Sequence, residues 1–92
     1  MESSVSHFSV YFEGHVQGVG FRFTTFQLAK GFEVTGFVTN LFDGRVHLEL
    51  EGDRDECVGF IKTLSEEMAS FIREKIQTEK SRAPEFKEFT IR

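Results

Sequence analysis

A small α+β sandwich is what this sequence predicts, with elements in the order β-α-β-β-α-β and two helices packed on one face of a mostly antiparallel, four- to five-stranded sheet. The expectation rests on hydrophobic periodicity. Apolar residues alternate with period two over 7–13 and 45–51, and they recur at helical spacing over 54–68. A glycine-rich loop separates the first strand from a short helical stretch. At 92 residues the chain is read as one domain, 1–92, with room for a single core.

Residues 1–6 are expected to be a flexible N-terminus. Phe8, Val10 and Phe12 then alternate with Ser9, Tyr11 and Glu13, which gives a first strand over about 7–13. After the loop, 22–30 reads as a short helix, with Phe26 and Ala29 on one side and Gly31 placed to end it. A second strand is read over 33–40. Asp43-Gly44 is a hairpin signal. Beyond it Val46, Leu48 and Leu50 face one way, while Arg45, His47, Glu49 and Glu51 face the other. The second helix covers about 54–68 through Cys57, Phe60, Ile61, Leu64 and Met68, with Asp53 or Asp55 available at its start. Residues 71–79 fit a strand through Ile72 and Ile76, although their charges also permit a helix. Residues 81–85 hold the only proline and read as a loop; Phe89 and Ile91 suggest a short last strand. This order is the split βαβ, or ferredoxin-like, pattern.

Composition narrows the function. Hydrophobic content of 39% and charged content of 28% describe a soluble globular chain, and twelve Phe with no Trp supply much of the expected core. A net charge of −4 argues against a general nucleic-acid binder but leaves room for one concentrated positive pocket. Cys57 stands alone, which excludes an internal disulfide and a thiolate metal cluster and fits a reducing compartment. The opening residues lack the basic and apolar regions of a signal peptide, and no apolar run approaches the ~20 residues that span a bilayer. A cytoplasmic protein with no membrane partner is expected.

The most informative stretch is Gly14-His15-Val16-Gln17-Gly18-Val19-Gly20-Phe21-Arg22. Its glycines allow backbone N–H groups to turn toward one point, and the helix that follows presents its own unpaired N–H groups there. Arg22 places a cation in the first helical turn, where the helix dipole disfavours it. An anion held between loop and guanidinium resolves that conflict, and phosphate fits best. The loop is not a Walker motif, because no Gly-Lys-Ser/Thr follows, and its glycine spacing is not that of a dinucleotide fold.

A second stretch makes the pattern specific: Gly36-Phe37-Val38-Thr39-Asn40, then Gly44-Arg45-Val46, then Gly52. Together the two stretches resemble the acylphosphatase family over roughly residues 7–92. Phe12 stands where that family usually has an aliphatic residue, and Thr39 where it usually has Lys, Arg, Gln, Ala or Met. The resemblance implies hydrolysis of acyl phosphates to a carboxylate and inorganic phosphate, with no metal or cofactor. It implies that the loop amides of His15, Val16, Gln17, Gly18, Val19, Gly20 and Phe21, with Arg22, hold the phosphoryl group. It also implies that Asn40 orients the attacking water, whose proton passes to the substrate's own phosphate. The residues agree with this chemistry. Phosphoryl transfer needs positioning and charge stabilisation, and a carboxylate leaving group needs no general acid. Thr39, in place of a basic residue, is expected to weaken positive potential near the pocket.

Plainer readings exist for each residue. Arg22 alone is an ordinary surface arginine, and Asn40 alone begins a turn. Asn40 nevertheless ends a strand-face row of Val34, Gly36 and Val38, as a pocket edge would. The Gln17 side chain is expected to brace the loop, His15 to be solvated, and Cys57 to sit in the core. His7 and His47 are not spaced for a metal. Lys75, Lys80 and Arg82 alternate with Glu74 and Glu79, as on a solvated face.

Two rival functions remain. Acylphosphatase-like domains also stand at the head of larger hydrogenase-maturation proteins, as anion-binding modules. The zinc-finger and carbamoyl-transfer regions of those proteins do not appear here, which favours a free-standing monomeric enzyme. An RNA-binding module would carry aromatics and basic charge on the open sheet face. That face is expected to hold Ser9, Tyr11, Glu13, Arg45, His47, Glu49 and Glu51, which is acidic with one aromatic, so no nucleic-acid partner is expected.

Overall fold

The structure is a computed structural model and describes residues 4–92. Its elements are strand β1 (Val5–Gly14), helix α1 (Phe21–Ala29), β2 (Val34–Asn40), β3 (Val46–Gly52), helix α2 (Arg54–Glu67), a 3-10 turn (Ala69–Phe71), β4 (Ile72–Arg82) and β5 (Phe89–Ile91). The strands form a five-stranded sheet in the order β4-β1-β3-β2-β5. All neighbours are antiparallel except β2 and β5, which run parallel. The ferredoxin-like order read from the sequence is therefore present, closed at one edge by the fifth strand.

Alternation explains the core. Phe8, Val10 and Phe12 of β1, Val46, Leu48 and Leu50 of β3, and Val34 and Val38 of β2 are buried toward the helices. The stripe of α2, Cys57, Phe60, Ile61 and Leu64, packs against them, with Met68 at its end. Asp53 occupies the N-cap of α2 without a side-chain hydrogen bond, and Asp55 and Glu56 supply the acidic first turn that suits the dipole. Glu56 also accepts a 2.7 Å hydrogen bond from the Glu33 amide, which fastens the start of α2 to the approach to β2. Phe12 fills the core beneath the loop, its ring 4.9 Å from that of Phe21.

Several sequence expectations change. The flexible segment expected over 1–6 does not extend to its end: β1 already begins at Val5, paired with Arg82 of β4, while residues 1–3 lie outside the described residues. The loop read over 81–85 starts later, because β4 continues through Arg82. Its side chains are mostly exposed along this edge strand, so apolar alternation could not mark its end.

The open face is also not a plain acidic, solvated surface. The chain after β4 crosses one end of that face to reach β2, and it covers Glu51, which is 1% exposed. Glu51 accepts hydrogen bonds from the amides of Glu85 (2.8 Å) and Phe86 (3.1 Å), from the Arg82 guanidinium (3.0 and 3.1 Å) and from His7 Nδ1 (3.2 Å). Desolvation pushes the Glu51 carboxyl upward, but these donors outweigh it and leave the group below its ordinary pKa. Further along the face, the Tyr11 and His47 rings stack at 4.3 Å, and Phe37 meets His47 edge-on at 5.6 Å. The guanidinium of Arg92 lies 4.0 Å over Phe37. The face thus holds aromatics brought from several strands, and they pack on one another.

Candidate active site

The loop after β1 is held from two sides. At its start, the His15 amide donates a 2.9 Å hydrogen bond to the Phe71 carbonyl. In its middle, Gln17 Nε2 donates to the carbonyls of Leu41 (2.8 Å) and Arg45 (3.0 Å) in the β2–β3 turn. Val16 is fully buried beneath it and Phe21 nearly so. Between these anchors Gly18 and Gly20 both have φ of 80°. That is the left-handed region, which glycine enters without penalty. Gly20 is the N-cap of α1 in this conformation. Among the described residues no backbone or side-chain acceptor takes the amides of 16–23. The loop and the start of α1 therefore keep backbone donors without an acceptor among the described residues.

The cavity above this loop has a volume of about 280 Å³. Gly18, Gly20 and Arg22 line one side, Asn40 and Ile91 the other; Val16, Phe21 and Phe23 complete the wall. Arg22 is exposed and makes no ion pair among the described residues. Asn40, half-buried, closes the helix-side row of β2, one step beyond buried Val38. Its backbone stays in register with Val46 of β3, and the next residues form the turn that Gln17 grips. One side chain thus couples the glycine loop to the strand end that carries Asn40.

Of the residues singled out in the sequence, the cavity gathers Val16, Gly18, Gly20, Phe21, Arg22 and Asn40. His15, Gln17 and Val19 do not line it. The amide of His15 is committed to Phe71, so it is not free for a ligand, and its side chain is exposed. The Gln17 side chain is likewise committed to the turn. Val19 packs partly against the core. Thr39 pairs with His47 on the opposite sheet face and does not line the cavity. Two lining residues escaped the sequence reading. Phe23 follows Arg22 directly, and Ile91 arrives only through the parallel pairing of β5 with β2. Cys57 is fully buried in the core, away from the cavity, and burial above all pushes its thiol up to about 11.

A family model described as Acylphosphatase matches residues 8–91. The chain is 47% identical over 53 residues to an acylphosphatase of Caldanaerobacter subterraneus subsp. tengcongensis, a match that covers 54% of this chain and 59% of that relative. It is 34% identical over 80 residues to an acylphosphatase of Thermotoga maritima, covering 87% of this chain and 89% of the relative. The crystal structure of acylphosphatase from Bacillus subtilis superposes with a TM-score of 0.82 at 27% identity, over 94% of this chain and 97% of that one. No helix among the described residues is long and apolar enough to cross a membrane.

Proposed function

The chain belongs to the acylphosphatase family, hydrolases of acyl phosphates, and from that premise we propose how its own residues carry out the reaction. The observation that carries the proposal is that one cavity is lined by Gly18, Gly20 and Phe21, whose amides have no acceptor among the described residues, by Arg22, which makes no ion pair among them, and by Asn40. The amides of Val16, Gly18, Gly20 and Phe21, whose residues line the cavity, and the planar fork of Arg22 hold the equatorial phosphoryl oxygens. Asn40 accepts one hydrogen bond from a water and donates another, which holds that water in line with the bond to be broken. The water oxygen bonds to phosphorus, and the bond from phosphorus to the acyl oxygen breaks. Its electron pair departs on the carboxylate. The water's proton passes to a phosphoryl oxygen, so neither a general acid nor a protein base takes part.

Preorganised donors act where charge grows in the transition state, and they need not reorganise as the reaction proceeds. Positive charge comes from Arg22 and the amides, so this reading needs no metal or cofactor. The lone, buried Cys57 supports a reducing, cytoplasmic location.

The test is hydrolysis of benzoyl phosphate in excess EDTA by wild type, Arg22→Ala and Asn40→Ala, each checked for folding. Each variant should lose on the order of 10²–10³ in rate or more. Wild-type turnover by both folded variants refutes these roles. A folded wild type that binds phosphate without turnover would point to an anion-binding module instead.

A further inference from the structure

The mouth of the cavity carries two apolar side chains that the phosphoryl chemistry does not use. Phe23 is 62% exposed and Ile91 42% exposed, and both line the cavity. They come from different elements. Phe23 lies in the first turn of α1, and Ile91 lies on β5 opposite Val38, two residues before Asn40 on the neighbouring strand. Single exposed apolar residues are ordinary, but two from separate elements at one functional mouth are not.

The direction of the substrate follows from burial. Val16 and Phe21 close the deep wall. A phosphoryl group held by the loop and Arg22 must therefore send its acyl substituent outward, past Phe23 and Ile91. Charge adds a second constraint, because Arg22 is the one charged residue lining the cavity among the described residues. Arg92, next to Ile91, turns to the opposite sheet face and lies over Phe37. An acyl group carrying its own negative charge would find, among the described residues, no lining cation besides the Arg22 already engaged by the phosphoryl group.

We propose that Phe23 and Ile91 form the subsite for the acyl half of the substrate, and that it selects acyl phosphates with an uncharged, apolar acyl group, aromatic above all. The proposal rests on the phosphoryl reading of the cavity given above. An aromatic acyl group can set its ring against Phe23 edge-to-face or offset-stacked while Ile91 covers its other side. Such contacts are remote from the reacting bond and hold ground state and transition state alike, so they act mainly through KM.

Benzoyl, acetyl and succinyl phosphate, hydrolysed by wild type, Phe23→Ala, Ile91→Thr and Ile91→Lys, provide the test. Wild type should favour benzoyl over acetyl phosphate in kcat/KM by about tenfold or more. Phe23→Ala and Ile91→Thr should each lower that ratio by about three- to tenfold, chiefly through KM. Ile91→Lys should raise the succinyl-to-acetyl ratio by a similar factor. A wild-type benzoyl-to-acetyl ratio within about twofold of unity, or a ratio unmoved in the folded variants, overturns the subsite while the phosphoryl reading stands. A folded wild type that hydrolyses none of the three overturns the phosphoryl reading, and the subsite with it.

Discussion

Replacing Gln17 by Ala separates bracing of the loop from contact with substrate. Gln17 Nε2 makes hydrogen bonds of 2.8 and 3.0 Å to the Leu41 and Arg45 carbonyls, and both are good geometries. Each neutral bond contributes about 0.5–1.5 kcal/mol net. Truncation also frees the side-chain entropy that ordering Gln had cost, up to about 2 kcal/mol, and water can reach the half-buried carbonyls. The two bonds sum to about 1–3 kcal/mol, and an offset of about 1 kcal/mol leaves a net destabilisation centred on about 1 kcal/mol. For 92 residues the unfolding entropy is about 0.19 kcal/mol/K, so Tm should fall by about 5 °C. The loop would also shift against the strand end that carries Asn40. A misplacement near 1 Å costs about 10²-fold in rate, so kcat should fall well below wild type even where the protein is fully folded. Urea titration and benzoyl phosphate kinetics on Gln17→Ala and the near-isosteric Gln17→Met are the assays. Equal losses in both variants are expected, since neither retains a donor. Wild-type stability with lost activity would refute the bracing role and place the side chain on the substrate; wild-type values of both would remove any role.

Glu51 supplies a pH prediction. Its folded pKa lies below the ordinary value of 4.5, so the stability it contributes is present above that value and is lost as pH falls through the folded pKa. The stability gap between wild type and Glu51→Gln, measured by urea titration, should be constant near neutrality and shrink on acidification; a gap independent of pH would contradict the hydrogen-bonded carboxylate. Gly20→Ala forces a Cβ into φ 80° at a position where no atom lies nearby, so the cost is backbone strain alone, about 1–2 kcal/mol by thermal or urea unfolding. Gly20→Asn should cost less, and equal costs would argue against that origin. The Cys57 thiol, buried and pushed up to about 11, should resist a disulfide reagent at neutral pH until the protein unfolds. Rapid labelling of native protein would disprove its placement in the core.

Much of the site was legible because its determinants are local. The glycines that turn the loop, the Arg22 that follows and the Asn40 that ends a strand row lie within two short stretches, and each obeys a rule of backbone conformation or charge that neighbours alone impose. The period-two row of Phe8, Val10 and Phe12 and the helical stripe from Cys57 to Leu64 likewise marked the core-facing sides of β1 and α2. The amide of His15 was not legible, because its acceptor, Phe71, comes from the far side of α2 in the chain.

The sequence by itself determined the order of elements, the buried faces and the glycine turn between β1 and α1, since periodicity and glycine conformation act over a few residues. Only the tertiary structure decided that Glu51 is buried beneath the crossing chain, that Gln17 grips the β2–β3 turn, and that Ile91 stands beside Asn40. Each of these depends on pairing between segments tens of residues apart. Such pairing is chosen by the packing of the whole sheet and leaves no mark in the local pattern of either partner.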